Sequence, residues 1–204
     1  MITIKNPEGA VYDAENHRYF LKGRPIVGVT EALGSVGLRP SIDMIPRDTL
    51  ERVWIRGNHI HAATQYEDEG DLGEVAPEHE PYLAAYRQFK KDYDFKPIPE
   101  LIERWMIHGT FYYGGIPDRG GYLAGKRAVL EVKTTVAGVE DWVDFQTALQ
   151  AILLSDVAGF RPEVRCAVAL FDDGEYEFRM FTDQRARGIA LGAISIASWK
   201  LGRK

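Results

Sequence analysis

Cysteine and long apolar runs are what this sequence has least of. Its 204 residues include one cysteine, Cys166. A single cysteine excludes an internal disulfide framework, a four-cysteine zinc site and an iron–sulfur cluster held by this chain alone. The first twenty residues lack the apolar core of a signal peptide, and no later stretch is apolar over the length needed to cross a bilayer. We therefore expect a soluble cytoplasmic protein with no membrane partner.

An excess of positive charge is also lacking. Lys and Arg number 25 against 30 Asp and Glu, which gives a formal net charge of −5. The chain as a whole therefore does not attract nucleic acid, and a polyanionic partner would have to be held by a local basic groove or by metal ions. No Gly-x-x-x-x-Gly-Lys-Ser/Thr loop is present, which argues against a built-in nucleotide motor. Length and the 45% share of hydrophobic residues indicate one domain over residues 1–204.

Hydrophobic periodicity predicts helices and strands in a mixed order. Residues 1–45 are expected to be peripheral, with a hairpin near 10–23 and a short helix capped by Thr30. In the core, residues 46–204, the predicted helices lie at 46–69, 81–95, 140–155 and 182–199. The predicted strands lie at 101–109, 111–123 and 126–135, as an antiparallel meander, and at 163–171 and 175–182, as a hairpin. This order indicates an α/β fold with a mixed central β-sheet flanked by helices.

The second and third strands of the meander carry charged residues where a sheet interior is expected. If their connection is a two-residue turn at Ala124 and Gly125, Asp118 faces Glu131 across the antiparallel pair, with Cβ atoms about 5 Å apart. Lys133 lies two residues beyond Glu131 and points to the same face. A turn longer by one residue would direct one carboxylate to the other face.

Two opposed carboxylates destabilise a fold unless a positive charge lies between them. Mg²⁺ or Mn²⁺, which prefer oxygen ligands, would provide that charge. The alternative is an ion pair with Lys133 on a solvated face. Leu130 and Val132 require a core on the opposite face, and Val129 keeps apolar character on the charged one. A strand covered on both sides favours a functional site over a surface ion pair.

The order Gly115-Ile116-Pro117-Asp118, twelve intervening residues and then Glu131-Val132-Lys133 resembles the signature of the PD-(D/E)XK nuclease superfamily. The resemblance is to its RecB-like and phage-type exonuclease branch, over about three quarters of the chain. In that branch further positions fall on an upstream helix, on a strand and on the helix after the hairpin. Here they correspond to Gly57 with His61, to Glu103 and to Gln146. Gln150, four residues later, shares the stripe of Gln146, and either could approach the site.

The resemblance implies a restriction-endonuclease-like core and a metal-dependent deoxyribonuclease, an exonuclease of the phage or recombination type. The implied catalytic set is Asp118, Glu131, Lys133, Glu103 and Gln146. One or two Mg²⁺ or Mn²⁺ ions would be held by His61, Asp118, Glu131 and the backbone carbonyl of Val132. The nitrogen of His61 favours Mn²⁺. Lys133 would orient the attacking water or help to deprotonate it.

DNA, as a linear duplex or a single strand, is the partner that the resemblance implies. The candidate contacts are Arg119 and either Lys126 or Arg127 near the hairpin, Arg52 and Arg56 on the face of the helix that carries His61, and Gln150. Tyr112, Tyr113 and Trp142 could stack on bases or pack in the core. A homo-oligomer such as a ring, a single-strand-annealing protein and a helicase are further expected partners. If a phage encodes the chain, its location is the host cytoplasm.

Two other functions are compatible with these residues. One is a catalytically inactive protein of the same fold that binds nucleic acid or a protein partner. The other is a metal-dependent hydrolase with a different substrate. The complete set of Asp118, Glu131 and Lys133 argues against the inactive protein, because a site that has lost its activity has no reason to keep opposed carboxylates.

Overall fold

The computed structural model describes residues 2–42, 45–134 and 137–202. Its strands are β1 (Ala10–Asp13), β2 (Arg18–Leu21), β3 (Arg24–Gly28), β4 (Phe95–Ile102), β5 (Met106–His108), β6 (Tyr113–Gly115), β7 (Arg119–Leu123), β8 (Lys126–Lys133), β9 (Val164–Leu170) and β10 (Tyr176–Phe181). Its helices are α1 (Val29–Ser35), α2 (Arg47–Glu69), α3 (Glu80–Asp92), α4 (Val143–Val157) and α5 (Ala186–Leu201).

The central sheet has the strand order β10-β9-β8-β7-β4. Strands β8 and β9 are parallel and the other neighbours are antiparallel, so the sheet is mixed. On one side Val129 belongs to a cluster with residues of α1, α4 and α5. On the other side Leu130 and Val132 belong to a cluster with residues of α2 and α3. The predicted α/β class is confirmed, with a mixed central sheet flanked by helices, and β8 is covered on both faces.

The β7–β8 hairpin has the predicted turn. Ala124 and Gly125 both have positive φ, +46° and +78°, as a two-residue turn between right-twisted strands requires. Leu123 pairs with Lys126, and the ladder continues in that register to Arg119 and Leu130. Asp118 lies one residue before β7, just beyond the paired part of the strand. The hairpin at β9 and β10 is also confirmed.

The predicted meander is wrong before β7. The chain leaves the central sheet after Ile102, adds β5 and β6 to a second sheet of order β1-β2-β3-β6-β5, and returns at Arg119. Glu103 has φ of +48°, which ends β4, and Pro117, which has no N–H to donate to a ladder, lies between β6 and β7. Apolar alternation alone does not reveal that two strands in succession belong to different sheets.

The amino-terminal part is not peripheral. Val27 and Gly28 of β3 pair in parallel with Tyr113 and Gly114 of β6, and α1 is buried in the larger core. Thr30 does not cap α1, because the helix already begins at Val29. Gly28 is the N-cap, and its backbone N–H donates to the Glu31 carboxylate at 3.2 Å.

The four predicted helices of the core are present, and α2 has the predicted bounds to within one residue, but α4 begins at Val143 and not at 140, and α5 begins at Ala186 and not at 182. Helix α2 ends at Gly70, whose φ of +74° provides the expected left-handed C-cap. Helix α3 ends at Asp92 and not at 95, because Phe95 begins β4. Strand β4 contains Pro97 and Pro99, which an edge strand tolerates. Within the described ranges, no helix has both the length and the apolar composition of a membrane span. The single domain over residues 1–204 stays a prediction.

Gly121→Ala is expected to destabilise the fold. A Cβ at this position of β7 would lie 2.5 Å from the backbone oxygen of Lys96 on the neighbouring strand, and overpacking of this kind costs about 1–3 kcal/mol. Gly188→Ala is the matched control, since a Cβ there would have no neighbour within 4 Å and alanine favours a helix interior by up to about 1 kcal/mol. Urea denaturation measures the free energy of unfolding of both variants. A Gly121→Ala protein as stable as the unsubstituted chain would contradict the clash.

Candidate metal centre

Three side chains from three different segments bring their ligand atoms together. His61 lies on α2, Glu103 lies just after β4, and Asp118 lies just before β7. His61 Nδ1 is 3.4 Å from Glu103 Oε1 and 3.8 Å from Asp118 Oδ2, and the three ligand atoms lie within 4.8 Å of one another. Spacing of this kind suits one cation bound at about 2.0–2.4 Å from each atom, and the mixture of nitrogen and carboxylate oxygen suits a divalent ion.

Backbone hydrogen bonds from two neighbouring segments hold Asp118 in place. Its Oδ2 accepts the Val132 N–H of β8 at 2.7 Å, and its backbone carbonyl accepts the Glu103 N–H at 3.0 Å. The carboxylate is buried beside a second acid. Burial and the charge of Glu131 raise the pKa of Asp118. A cation bound beside such a carboxylate would stabilise its ionised form and so take the place of the proton.

Glu103 adopts a backbone conformation that is rare for a residue with a side chain. Its φ of +48° is in the left-handed region, which costs about 1–2 kcal/mol for a non-glycine residue. Strain of this type persists only where the surrounding contacts require it, and it is concentrated at functional sites. Here the turn directs the Glu103 carboxylate toward His61 and Arg119.

Arg119 is fully buried and joins the segments that carry the three ligands. Its Nη1 donates to Glu103 Oε1 at 2.9 Å and to the Asp118 carbonyl at 2.7 Å. Its Nε donates to Asp68 Oδ2 at 2.7 Å and its Nη2 to Thr64 Oγ1 at 3.1 Å, both on α2. The prediction that Arg119 contacts DNA is wrong, because the guanidinium is enclosed and its donors face these acceptors.

A second polar cluster surrounds Glu131 on the α4 face of the sheet. Glu131 Oε1 accepts from Lys133 Nζ at 2.7 Å and from Gln146 Nε2 at 2.6 Å, and its Oε2 accepts from Gln150 Nε2 at 2.6 Å. Gln146 Oε1 also accepts from Lys133 at 3.0 Å. Both glutamines therefore reach the site. Gln150 is 2% exposed, so its predicted contact with DNA is corrected to a contact with Glu131.

The two clusters are neighbours. The Glu131 charge acts on both Asp118 and His61, although Glu131 is not one of the three residues whose ligand atoms converge. Metal ligation by Glu131 and by the Val132 carbonyl, like the catalytic roles assigned to the other residues, stays a prediction.

The second sheet provides the opposite wall of the site. A cleft of about 230 Å³ is lined on one side by Glu103, Asp118, Gln146 and Gln150, and on the other by residues 17, 19 and 28–31. On the first side, Gln150 Oε1 is buried without a hydrogen-bond partner among the described residues. Sequence reasoning did not assign the amino-terminal segment to the site. The two consecutive glycines at 114 and 115 could have indicated that another segment packs closely against this backbone, because a Cβ at Gly114 would lie 2.3 Å from the Tyr19 ring.

The basic residues predicted to contact DNA lie farther from the candidate metal centre than the sequence suggested. Lys126 is at the opposite end of β8 from Glu131, five residues or about 17 Å away. Arg52 and Arg56 are aligned with the buried Ile60, four residues on, and not with His61. Arg52 is exposed, and Arg56 Nη2 donates to the Thr134 carbonyl at 3.4 Å.

The aromatic candidates for base stacking divide by burial. Tyr113 and Trp142 are core residues, and the Tyr113 hydroxyl donates to the Leu149 carbonyl. Tyr112 is exposed. Packing is therefore the role of the first two, as the alternative interpretation held.

No protein-family model matches the chain, and no curated protein matches it. Solved structures with a similar chain trace include the following two. One, a candidate exonuclease from Eubacterium rectale, is 12% identical with a TM-score of 0.48, and the match covers 72% of this chain and 66% of that one, just under two thirds. The other, an alkaline exonuclease from Laribacter hongkongensis, is 13% identical with a TM-score of 0.44, over 87% and 88% of the two chains. Likeness at this level does not establish an activity.

Arg119→Met is expected to lower the free energy of unfolding by about 3–5 kcal/mol, because it removes the buried counter-charge of Glu103 and leaves the buried Asp68 paired with the partly exposed Lys90. The matched control is Arg127→Met, whose 3.3 Å pair with Glu163 lies on the surface and contributes at most about 1 kcal/mol. Chemical denaturation compares the two variants. A loss at Arg119 no larger than that at Arg127 would contradict the structural role of the buried guanidinium.

Cation binding is expected to release protons. Burial alone would lower the pKa of His61, but the Asp118 and Glu103 carboxylates outweigh it and raise that pKa to about 9. The imidazolium that predominates below this pH must lose its proton to bind a metal. Affinity for Mn²⁺ should therefore increase as pH rises from 6 toward 9, with about one proton or more released per ion near pH 7.

Calorimetry in two buffers of different ionisation enthalpy measures this proton release. His61→Gln should remove most of the pH dependence. His59→Gln should not, since the His59 ring contacts His79 instead. Mn²⁺ affinity that does not vary between pH 6 and 9 would contradict the assignment of His61 as a ligand.

Proposed function

We propose that this chain is a metal-dependent nuclease that hydrolyses the phosphodiester bonds of DNA. The observation that carries the proposal is the meeting of His61, Glu103 and Asp118 within 4.8 Å, directly beside a lysine held by Glu131 and Gln146. A cluster of cation ligands next to a positioned ammonium suits phosphodiester cleavage, because a bound cation and the ammonium can both neutralise charge on the phosphate.

His61, Glu103 and Asp118 would hold the divalent ion, with Glu131 and the Val132 carbonyl available to a second one. When bound, such an ion neutralises charge on a phosphate and lowers the pKa of a coordinated water. The two carboxylates and the imidazole are already oriented by Arg119, by the Val132 N–H and by one another. The chain therefore presents its ligands with little reorganisation.

Lys133 would act on the nucleophile and on the phosphate. Its Nζ donates to Glu131 Oε1 and Gln146 Oε1, and it lies 4.9 Å from the centre of the Trp142 ring. Three neighbours thus fix the ammonium at the end of β8, where it is partly exposed. From that position it would orient a water molecule and stabilise negative charge that develops on a phosphate oxygen.

Glu131 would position Lys133. Its two oxygens accept three donors, from Lys133, Gln146 and Gln150. A carboxylate with this many charge-assisted hydrogen bonds holds its donors in one arrangement. The glutamines of α4 would therefore be positioning residues for the lysine.

Linear DNA is the proposed substrate, and attack from an end, as in an exonuclease of the phage or recombination type, is the proposed mode. Association with a second copy, with an annealing protein or with a helicase stays a prediction. Digestion of linear duplex, closed circular duplex and single strands with Mn²⁺ or Mg²⁺ tests the mode. Loss of the linear substrates alone indicates an exonuclease, whereas nicking of the circle indicates internal cutting.

Asp118→Asn is expected to abolish cleavage without unfolding the protein, because asparagine keeps an acceptor for the Val132 N–H and removes a buried charge near Glu131. Lys133→Ala should reduce the rate by about 10²–10⁴-fold. Lys126→Ala, on the same strand and exposed at its far end, is the matched control and should cleave at the original rate. Circular dichroism confirms the fold of each variant.

Cleavage retained in Asp118→Asn would overturn the proposal. So would metal binding by the unsubstituted protein with no cleavage of any DNA, which would favour the catalytically inactive alternative.

A further inference from the structure

Helix α5 is apolar on its exposed side as well as on its buried side. The exposed side carries three large apolar side chains, since Ile189 is 42%, Ile196 49% and Trp199 58% exposed. The side that faces the core is formed by Ala186, Ala190, Ala193, Ile194 and Ala197. A helix at a protein surface normally presents polar and charged residues to water, and a helix that is apolar all round is normally buried. This composition favours a further surface that covers α5.

The exposed apolar residues of α5 lie on one arc of the helix. With about 100° between successive residues, Ile189, Ile196 and Trp199 fall within about 80° of one another. Three small exposed residues widen this arc to about 120°, and they are Gly188, Gly192 and Ser195. These six residues form one continuous surface, which we call the α5 face. The exposed apolar residues of α2 differ, because residues 53–55 are consecutive and diverge by about 100° at each step.

The α5 face carries no charge. Helix α5 contains no acidic residue, and its exposed cations, Arg187 and Lys200, lie outside the arc on either side of it. A nucleic-acid strand needs cations on the surface that it contacts, and a charged protein partner needs the opposite charge. Two copies of this chain repel each other through their net charge of −5, and that repulsion is weakest where neither surface carries an acid. The charge pattern therefore favours an apolar partner and permits a second copy.

The shape of the α5 face is complementary to itself. If two copies of α5 lie antiparallel about a two-fold axis midway between residues 193 and 194, Trp199 opposes Gly188 and Gly192 opposes Ser195. A Cβ on Gly188 or Gly192 would have nothing within 4 Å, so the space in front of both glycines is open. The indole of one copy can fill the space at Gly188 of the other, and the two backbones can approach closely at Gly192. The same axis places Ile189 and Ile196 of both copies on one side of the contact.

We propose that the α5 face is the interface of a homodimer, in which two copies of α5 pack antiparallel about a two-fold axis. The exposed parts of the face, with the aliphatic stems of Arg187 and Lys200 at its rim, amount to roughly 600 Å² on each partner, against about 800 Å² in a standard interface. A contact of this size gives a reversible dimer, with a Kd of about 1–100 µM. The dimer does not depend on the proposed nuclease function.

Sedimentation velocity of the full chain, without nucleic acid or metal, tests the dimer between about 1 and about 300 µM. The unsubstituted protein should change from monomer to dimer over this range. Trp199→Ala should weaken association by about 30-fold or more, as for a central aromatic residue of an interface. Ile196→Asp should abolish association, because it would bury a carboxylate of each copy without a counter-charge. Trp54→Ala is the matched control, since it removes a tryptophan that is 55% exposed on α2, and it should dimerise as the unsubstituted protein does.

Disulfide cross-linking measures how the two helices are paired. Cys166 is the one cysteine of the sequence and is fully buried, so a thiol introduced on the α5 face is the accessible one. The antiparallel axis brings residue 192 of one copy opposite residue 195 of the other. A mixture of Gly192→Cys and Ser195→Cys proteins should therefore cross-link faster on oxidation than either protein alone. A parallel pair would instead join identical positions.

Three results would overturn the inference. One is a protein that stays monomeric at about 300 µM. Another is a dimer that persists unchanged in Ile196→Asp, since its interface would then lie elsewhere. The third is cross-linking of Ser195→Cys alone as fast as that of the mixture. Circular dichroism of each variant shows that the helices are retained, which separates a loss of association from unfolding.

Discussion

The enclosed guanidinium of Arg119 is the interaction on which the candidate site depends. It binds α2 through Thr64 and Asp68, the turn after β4 through Glu103, and the segment before β7 through the Asp118 carbonyl. These are the three segments that carry the possible metal ligands. A buried cation with several carboxylate partners tolerates little displacement, because any separation leaves a charge without compensation. The ligands are therefore held together by a residue that is not itself a ligand.

The alternation of side chains along β7 and β8 divides the polar residues between the two faces of the central sheet. Arg119 opposes Leu130 and so shares its face, toward α2 and α3, whereas Glu131 points toward α4. At the open end of the hairpin, polar residues of the two faces lie close together, and the Val132 N–H donates to Asp118 there. Two helices from opposite sides of the sheet, α2 and α4, can thus act on one cleft. The proposed division of work follows: cation ligands come mainly from the α2 side, and the lysine and glutamines from the α4 side.

The Asp118–Glu131–Lys133 hypothesis could be formed from sequence because its geometry is local. The turn at Ala124 and Gly125 allows one register, and that register sets the face of every residue on both strands. The role of Arg119 could not be formed in the same way. An arginine beside a hairpin is exposed in most proteins, and its burial here depends on Asp68, which is 51 residues away along the chain.

By itself, then, the sequence determined the α/β class, the helices, the β7–β8 register and the grouping of charge near its open end, since each follows from contacts within a few residues. Tertiary structure alone decided that β5 and β6 leave the central sheet and that the amino-terminal strands form the second wall of the cleft. The pairing of Val27 with Tyr113 shows the reason. It joins residues 86 positions apart in the sequence, and pairing over that distance is selected by how the whole core packs, which no short pattern of residues encodes.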